Sequence, residues 1–222
     1  MRYLYALDIS MTNTGVSIFN YDNGEPIKVV SMNTTYKDLI PEDKDMYDGI
    51  RLKAHYDFIN KLIVEYPPYV CVSERGFTRF NTTTQVLFKV HGVYQLAFSE
   101  CKFVYMPPKE IRNILYSANA DKEDLRYLFE TKYKISFDDY DQSDAFAVGL
   151  AYLVKNNIVD WKKPLSITHK DIVKKLKDTS VLSEKEIVEL NNLIQERELR
   201  IKEFENKSKE KLKDLKNKRL AN

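Results

Sequence analysis

The chain has 222 residues, enough for one domain of ordinary size with an appendage but too few for two large domains. Hydrophobic residues make up 43% of it and charged residues 31%, with no long apolar run, so the composition fits a packed globule and excludes a membrane-spanning helix. Residues 1–161 hold 18 basic and 22 acidic side chains whereas residues 162–222 hold 17 and 11, so the net charge of +2 conceals an acidic body and a basic arm.

Three short runs rich in aromatic and β-branched residues open the chain. They cover residues 3–10, 15–21 and 26–33, and turn-forming residues separate them at Asn13 and at residues 22–24. We interpret these runs as three successive antiparallel strands.

Two further strands alternate with helices in the middle of the chain. Apolar residues recur on one helical face over residues 48–65, and a pair of prolines ends this predicted helix. Residues 69–74 form a continuous apolar run that ends in Glu74, as expected of a buried parallel strand. A second periodic helix is predicted over residues 85–98, and a fifth strand over residues 101–106.

The order of these elements predicts the architecture. Three more helices are expected over residues 108–116, 121–133 and 141–157. Right-handed crossovers through the helices would add the last two strands parallel to the first, within one sheet. We therefore predict an α/β fold in which a mixed five-stranded sheet, three antiparallel strands and then two parallel ones, is flanked by helices.

The C-terminal region has a different texture, and we divide the chain into a domain at 1–161 and a basic helical extension at 162–222. A short helix is predicted over residues 168–177. Ser183 and Glu186 form an S-x-x-E capping box that opens a helix running to about residue 219.

A heptad pattern runs along this long helix but is incomplete. Apolar residues occupy several a and d positions, whereas Arg197, Ser208 and Lys211 interrupt the series. A weak coiled coil, an arm docked on a partner and a partly disordered basic tail that binds phosphates all fit this pattern, as does a merely solvated helix.

Four carboxylates fall where a shared metal site needs them. Asp8 and Glu74 end the first and fourth predicted strands, and Asp141 and Asp144 lie three apart on one helical face. If the two strands are neighbours, all four acids converge at one edge of the sheet. Cations must offset the repulsion among such carboxylates, and hard oxygen ligands suit Mg²⁺, with Mn²⁺ as a substitute. Two ions would clamp a scissile phosphate.

At these residues the chain resembles the RuvC family of Holliday junction resolvases. ALDISMTNTGVSIF is similar to that family's first motif, and VSERGF followed by VLFKVHGVYQLAF to its second. YMPPKEIR, SANADKEDL and DDYDQSDAFAVGLA resemble the remaining motifs in the same order. The resemblance spans residues 3 to about 154, and it implies a ribonuclease H-like fold and a crossover junction endodeoxyribonuclease.

The resemblance also implies roles for individual residues. Matched position by position, the four acids would be ligands of two Mg²⁺ ions. Lys122, with Arg112 or Lys109, would match the family's basic residues near the scissile phosphate. Without the resemblance, Lys122 reads as a solvated lysine in the first turn of a helix. Asp138 and Asp139 crowd the last motif, so a shift of register there would exchange ligands.

Further implications concern DNA and assembly. Phe77 falls where the family places an aromatic residue that probes the opened junction, although Phe80 is a rival and either ring fits a packed core as well. Arg75 and Arg79, on the same loop, are expected to contact DNA. The family acts as a homodimer, with the helix over 85–98 as the expected interface. Branched DNA is the expected partner, including four-way junctions and also flaps and replication forks.

Two other interpretations remain open. A non-catalytic protein that binds branched nucleic acid would keep the fold and use the basic extension. An ATPase or kinase relative of the same superfamily would need further glycine-rich phosphate loops, yet the chain holds only six glycines. The acidic body and the long extension depart from the compact resolvase pattern, which favours cleavage of branched DNA in general over strict selectivity for junctions.

Origin and location are predicted from composition. Lysine outnumbers arginine 26 to 9, which is typical of AT-rich genomes such as those of many bacteriophages. The N-terminus has no signal-peptide core, so we expect a cytoplasmic protein, in the host cytoplasm if a phage encodes it. Cys71 and Cys101 lie in apolar runs and are expected to be buried thiols.

Overall fold

One mixed sheet organises the fold in the computed structural model, which describes residues 1–35, 46–75, 81–164 and 168–220. Its strands are β1 (Tyr3–Asp8), β2 (Asn13–Asn20), β3 (Pro26–Asn33), β4 (Pro68–Glu74) and β5 (Lys102–Met106). They lie in the order β3-β2-β1-β4-β5, with β1, β2 and β3 antiparallel and β4 and β5 parallel to β1. The predicted sheet is confirmed, and β1 and β4 are neighbours.

Helices cover both faces of this sheet. They are α1 (Tyr47–Glu65), α2 (Asn81–Ala97), α3 (Pro108–Leu115), α4 (Lys122–Tyr133), α5 (Tyr140–Lys155), α6 (His169–Lys177) and α7 (Glu184–Leu220). The helix α2 begins four residues before its predicted start, because its first turn is polar and carries none of the apolar periodicity on which the prediction depended. None of the helices in the described ranges is long and apolar enough to cross a membrane.

The alternation of side chains along β1 divides the core into two layers. Leu4 and Ala6 face a layer that α5 and its neighbours cover, and Tyr5 and Leu7 face a second layer under α1 and α2. Cys71 is fully buried in this second layer, as predicted, and Cys101 is half-buried beside it. Because both faces are covered, the free ends of the strands are where a polar site can open.

Two glycines let α5 lie directly on the sheet. A Cβ atom on Gly15 would stand 1.9 Å from the carbonyl oxygen of Asp141, and one on Gly149 would stand 2.3 Å from the ring of Phe19. Gly15 pairs across the sheet with Asp8. The absence of a side chain at Gly15 therefore brings the start of α5 against the strand next to Asp8.

The helix α7 folds back on the same chain. Arg197 and Phe204 are buried, and Phe204 belongs to the core layer around α5. The predicted capping box is present, since Ser183 Oγ accepts from the Glu186 N–H at 3.3 Å and Glu186 accepts from the Ser183 N–H at 2.8 Å. The interruptions of the heptad are contacts: Arg197, Ser208 and Lys211 each bind a residue of the body.

Candidate active site

Asp8 and Glu74 occupy the ends of adjacent parallel strands. Leu7 pairs with Ser73, so the next residue of each strand emerges at the same edge of the sheet. Both carboxylates are half-buried. The parallel pairing of β1 with β4 thus brings together two acids that are 66 positions apart in the sequence.

The start of α5 supplies the other two acids. Asp139 caps the helix by accepting a hydrogen bond of 2.8 Å from the Gln142 N–H. Asp141 and Asp144 follow in the first turns, on the side that packs against the strand ends. Both side chains are half-buried.

The four carboxylates influence one another electrostatically. Burial raises the pKa of Asp8 well above its ordinary value, and the charges of Asp144, Glu74, Asp141 and Asp139 raise it further. Burial also raises the pKa of Glu74. These shifts are those expected of acids that lie near one another in a poorly solvated cleft.

Asp144 shows the effect most clearly. Burial, and then the charges of Glu74 and Asp141, raise the pKa of Asp144 to about 7. Burial raises the pKa of Asp141 as well, although a hydrogen bond from Asn13 opposes the shift. Groups with pKa values perturbed by burial and like charge are typical of functional sites.

Two of the predicted basic residues lie near this cleft. The charges of Lys122 and Arg112 both lower the pKa of Asp144, and Arg112 also lowers that of Glu74. Lys122 is the first residue of α4, and its ammonium lies 3.9 Å from the centroid of the Tyr140 ring. Arg112 is half-buried in the last turn of α3.

The other predicted DNA contacts are placed only in part. Lys109 is exposed on α3, and Arg75 is exposed immediately after Glu74. The Arg75 N–H donates to the carbonyl of Met106 at 2.9 Å, which fixes the backbone where the chain leaves the site. Phe77 and Arg79, together with the rival Phe80, lie outside the described residues.

A polar cluster that the sequence prediction missed joins β2 and β3 to the start of α5. The Asn13 amide donates to Asp141 and, at 3.1 Å, to Asp139. The Ser31 hydroxyl donates to Asp139 at 2.6 Å. The sequence indicates only that Asn13 is a turn former, and its position in the small-residue turn after Asp8 is the one signal of a further role.

Asn13 also leaves one polar atom unsatisfied. Its side-chain oxygen is buried and has no hydrogen-bond partner among the described residues. A cavity of about 430 Å³ opens beside it, with Asp141 and Asp139 on one wall and Lys211 of α7 on another. A buried oxygen without a donor marks a place that a water, a cation or a substrate group would fill.

Asp138 lines the same cavity and is linked to this cluster through Gln142, whose side-chain amide also donates to Ser31 at 3.2 Å. Its carboxylate pairs with Lys211 and accepts from Gln142 at 3.2 Å. Asp139 serves as the cap of α5, as described above. Both acids that crowd the last motif therefore make structural contacts, although the charge of Asp139 also raises the pKa of Asp8.

Side chains of α1 bind the turn that follows Asp8. The carbonyl of Met11 accepts hydrogen bonds from Arg51 at 2.9 Å, from His55 at 3.1 Å and from the Thr34 hydroxyl. His55 is fully buried, and burial lowers its pKa. These contacts hold the hairpin between Asp8 and Asn13 in one conformation.

The donor set fits a hard divalent cation in its chemistry. All four acids offer oxygen ligands, and burial raises the pKa of each, with like charges adding to the shift at Asp8, Asp141 and Asp144. A bound cation would favour the ionised form of these carboxylates. Within the described ranges, however, no three acidic, histidine or cysteine side chains are already gathered around one point as metal ligands. The acids share a cleft without forming a closed coordination shell.

Comparison with known proteins finds likeness in structure alone. No protein-family model and no curated protein sequence matches the chain. Among solved structures, Thermus thermophilus RuvC in complex with a Holliday junction substrate aligns with a TM-score of 0.59 at 13% identity, covering 71% of this chain and 96% of that one. A second structure of Thermus thermophilus RuvC aligns at 0.58 with 15% identity, covering 70% and 96%.

A eukaryotic resolvase shows the same likeness. The yeast mitochondrial Holliday junction resolvase aligns with a TM-score of 0.52 at 15% identity, covering 70% of this chain and 80% of that one. At these identities the likeness establishes the fold. The chain has the ribonuclease H-like fold in the form found in RuvC-type resolvases, as the resemblance of its motifs implied.

Proposed function

We propose that this protein is a metal-dependent endonuclease that hydrolyses phosphodiester bonds in branched DNA, four-way junctions included. The observation that carries the proposal is the convergence of Asp8, Glu74, Asp141 and Asp144 in one cleft of a RuvC-like fold. The solved relatives of this fold include a RuvC in complex with a Holliday junction substrate.

The four acids would hold two Mg²⁺ ions, with Mn²⁺ as a substitute. The ions would activate a water and stabilise the leaving oxygen of the phosphodiester. The buried Asn13 oxygen, which lacks a partner among the described residues, would be a further oxygen donor for such an ion beside Asp141.

Lys122 and Arg112 would act on the substrate phosphate. Both side chains are cations whose charges lower the pKa of Asp144, so both lie near the cleft. There they would attract the negative charge of a bound phosphate. A phosphate oxygen accepts readily from such donors, and a guanidinium offers two at once. Lys109 and Arg75, both exposed, would bind backbone further from the reacting bond.

Junction recognition is proposed to come from strand opening. Phe77 follows Glu74 by three residues in the sequence, and we propose that its ring stacks on an unpaired base, with Arg79 contacting the backbone nearby. Phe77→Ala should lower cleavage of intact junctions more than cleavage of flaps, whose bases are already free. Equal losses on both substrates would assign Phe77 to the core.

A homodimer is proposed through α2. Phe88 and Leu96 are 69% and 66% exposed, and a Cβ on Gly92 between them would meet nothing within 4 Å. These residues are four apart, so they form one apolar stripe along the helix. A stripe of this kind on an outer helix fits a second copy of the chain, which would supply the second active site needed to cut opposite strands.

Two further proposals concern the biological setting. We propose action in the cytoplasm, that of the host if the gene belongs to a bacteriophage. The bacteriophage origin is supported by the excess of lysine over arginine.

One observation favours a second candidate function, a non-catalytic protein that binds branched nucleic acid. The described residues include no ready-made group of three metal ligands. Such a protein would bind junctions equally tightly before and after the substitution Asp8→Asn, and it would cut them in neither form.

The deciding experiment is a nicking assay with purified protein on a four-way junction, a flap and a linear duplex of the same sequence. The proposed nuclease cuts the branched substrates only when Mg²⁺ or Mn²⁺ is present, and Asp8→Asn removes cutting but retains binding, because backbone contacts do not depend on a metal ligand. Binding without cleavage by the wild-type protein would establish the second candidate.

A further inference from the structure

We infer that α7 is a positioning strap for the active site: one face of it ties the start of α4, which carries Lys122, to the start of α5, which carries Asp141 and Asp144. The inference rests on the proposed function, since it assigns the strap a role in that reaction. It differs from the expectation that the basic extension acts as a phosphate-binding arm.

The first tie is Arg197, which is inserted between two carboxylates of α4. It donates to Asp121 at 2.8 and 2.7 Å and to Asp124 at 2.6 Å, and its side chain is only 10% exposed. Those two acids form the capping box of α4: Asp121 accepts from the Asp124 N–H at 3.1 Å, and Asp124 accepts from the Asp121 N–H at 3.1 Å. Lys122 stands between them in the chain, so Arg197 fixes the backbone from which Lys122 extends.

The second tie is Phe204, which reaches the ring that holds Lys122. Phe204 is buried, and its ring centroid lies 4.8 Å from that of Tyr140. The Lys122 ammonium lies 3.9 Å from the centroid of the same Tyr140 ring. Tyr140 is also the first residue of α5 and directly precedes Asp141. The contact of Phe204 with Tyr140 therefore helps to position both Lys122 and Asp141.

The third tie holds the segment that enters α5. The Ser208 hydroxyl donates to the carbonyl of Asp138 at 2.6 Å, and Lys211 pairs with the Asp138 carboxylate. The next residue, Asp139, caps α5. α7 thus contacts the chain immediately before the helix whose first turns carry the acids.

The spacing of these contacts along α7 places them on one face of the helix. Arg197, Phe204, Ser208 and Lys211 are separated by seven, four and three positions, which places them on one helical face. At 1.5 Å per residue this face spans about 21 Å from the first tie to the last. A rigid helix of that length sets the distance between the starts of α4 and α5.

The test compares Arg197→Ala with Lys202→Ala in the full chain. Lys202 is exposed on the same helix, so its substitution changes the net charge equally without touching either Asp121 or Asp124. The measurements are the DNA dissociation constant and the single-turnover cleavage rate at saturating four-way junction with Mg²⁺, at a temperature well below melting. Arg197→Ala should lower the rate by roughly ten- to a hundredfold, the scale of a displaced catalytic group, and leave the dissociation constant unchanged. Lys202→Ala should alter neither.

A double-mutant cycle with Lys122→Ala separates positioning from general stability. If Arg197 acts through Lys122, its loss has little further effect on the rate once Lys122 is absent. If the rate losses of Arg197→Ala and Lys122→Ala multiply in full in the double variant, the inference is overturned. Weaker DNA binding by Arg197→Ala with an unchanged rate would also overturn it, and would identify α7 as a phosphate-binding arm. If Arg197→Ala fails to fold, Arg197→Lys and Phe204→Leu serve in its place, and a rate equal to wild type in both would also overturn it.

Failure of the proposed function gives a distinct result. If the wild-type protein cuts no branched DNA, amide hydrogen exchange replaces the rate as the measurement. Arg197→Ala should then speed exchange at residues 121–126 and 139–144, whereas Lys202→Ala should not. If Arg197→Ala leaves hydrogen exchange unchanged at the starts of both α4 and α5, the inference that α7 positions these helices is overturned.

Discussion

Acidic side chains are gathered in two regions of this molecule, and the two regions differ in whether those acids form salt bridges. Where α7 meets α4, Asp121 and Asp124 are paired with Arg197, and Glu123 with Arg126 at 2.8 Å. In the cleft at the sheet edge, Asp8 and Asp144 form no salt bridge with any described residue, and only the more distant charges of Lys122 and Arg112 lower the pKa of Asp144.

The pKa of Asp121 follows this difference, whereas at Asp124 burial outweighs the pairing with Arg197 and raises the pKa. Burial alone would raise the pKa of Asp121, but the hydrogen bond from Arg197 and those of the helix cap lower it below its ordinary value. In the cleft, burial and like charge act together and raise the pKa of Asp144 to about 7. Acids in salt bridges stabilise the fold, whereas buried acids without a salt bridge in a cleft are typical of sites that bind a cation or a substrate.

The largest expected effect separates a cleft acid from its paired neighbour. Asp141→Asn should lower Mg²⁺-dependent cleavage by roughly a thousandfold or more, as expected when a group that acts in the transition state is lost. Asp138→Asn should lower it by less than about fivefold, because it weakens an exposed ion pair with Lys211 and a hydrogen bond from Gln142 but leaves the contact between Ser208 and the Asp138 carbonyl in place. Single-turnover cleavage of a junction measures both, and similar losses would mean that the two acids share one role.

The next effect concerns the paired region. Arg126→Met leaves the buried Glu123 without its partner and should lower the free energy of unfolding by about 3 to 5 kcal/mol. Lys53→Met, which breaks an exposed pair with Asp57, should cost less than about 1 kcal/mol. Urea unfolding followed by circular dichroism gives both values. A loss at Arg126 no larger than that at Lys53 would contradict the contrast between the regions.

A smaller effect of opposite sign is expected in the cleft. Because the folded-state pKa of Asp144 is raised, ionisation of this acid costs stability above pH 7 and costs nothing below its unfolded value near 4. Asp144→Asn should therefore stabilise the metal-free protein by on the order of 2 kcal/mol at pH 8, and the gain should disappear as the pH falls to 4.

The matched control for that measurement is Asp121→Asn. Its pKa is lowered in the folded state, so its charge stabilises the protein above pH 4 and the substitution should destabilise at pH 8. Thermal melts with a chelator across this pH range test both variants. Destabilisation by Asp144→Asn at pH 8 would show that the carboxylate has a partner in the folded protein.

The smallest effect concerns the exposed face of α7. Lys209→Ala and Lys213→Ala should each weaken binding to any DNA structure a few-fold and reduce the salt slope of the affinity by about 0.9 if the side chain touches a phosphate. Lys185→Ala, exposed at the other end of the helix, is the control. A slope that does not change in the first two variants would confine the role of α7 to the contacts of its buried face.

Local patterns in the sequence were enough to predict much of this protein. The alternation of side chains in β1 and the helical period over α1 and α5 depend on neighbouring residues only, so the elements and their order could be predicted. The positions of Asp8, Glu74, Asp141 and Asp144 at element ends followed from the same patterns once β1 and β4 were taken as neighbours. The start of α2 was missed because its first turn is polar.

The tertiary structure alone decided which polar side chains meet. Asn13 contacts Asp139 across 126 positions, and Arg197 contacts Asp121 across 76, and neither pairing leaves a trace in the local sequence. Arg197 in the heptad indicated only that the helix was unsuited to a plain coiled coil. A periodic stripe shows that a helix face is buried, but the partner that buries it depends on where the folded chain brings its complementary charges.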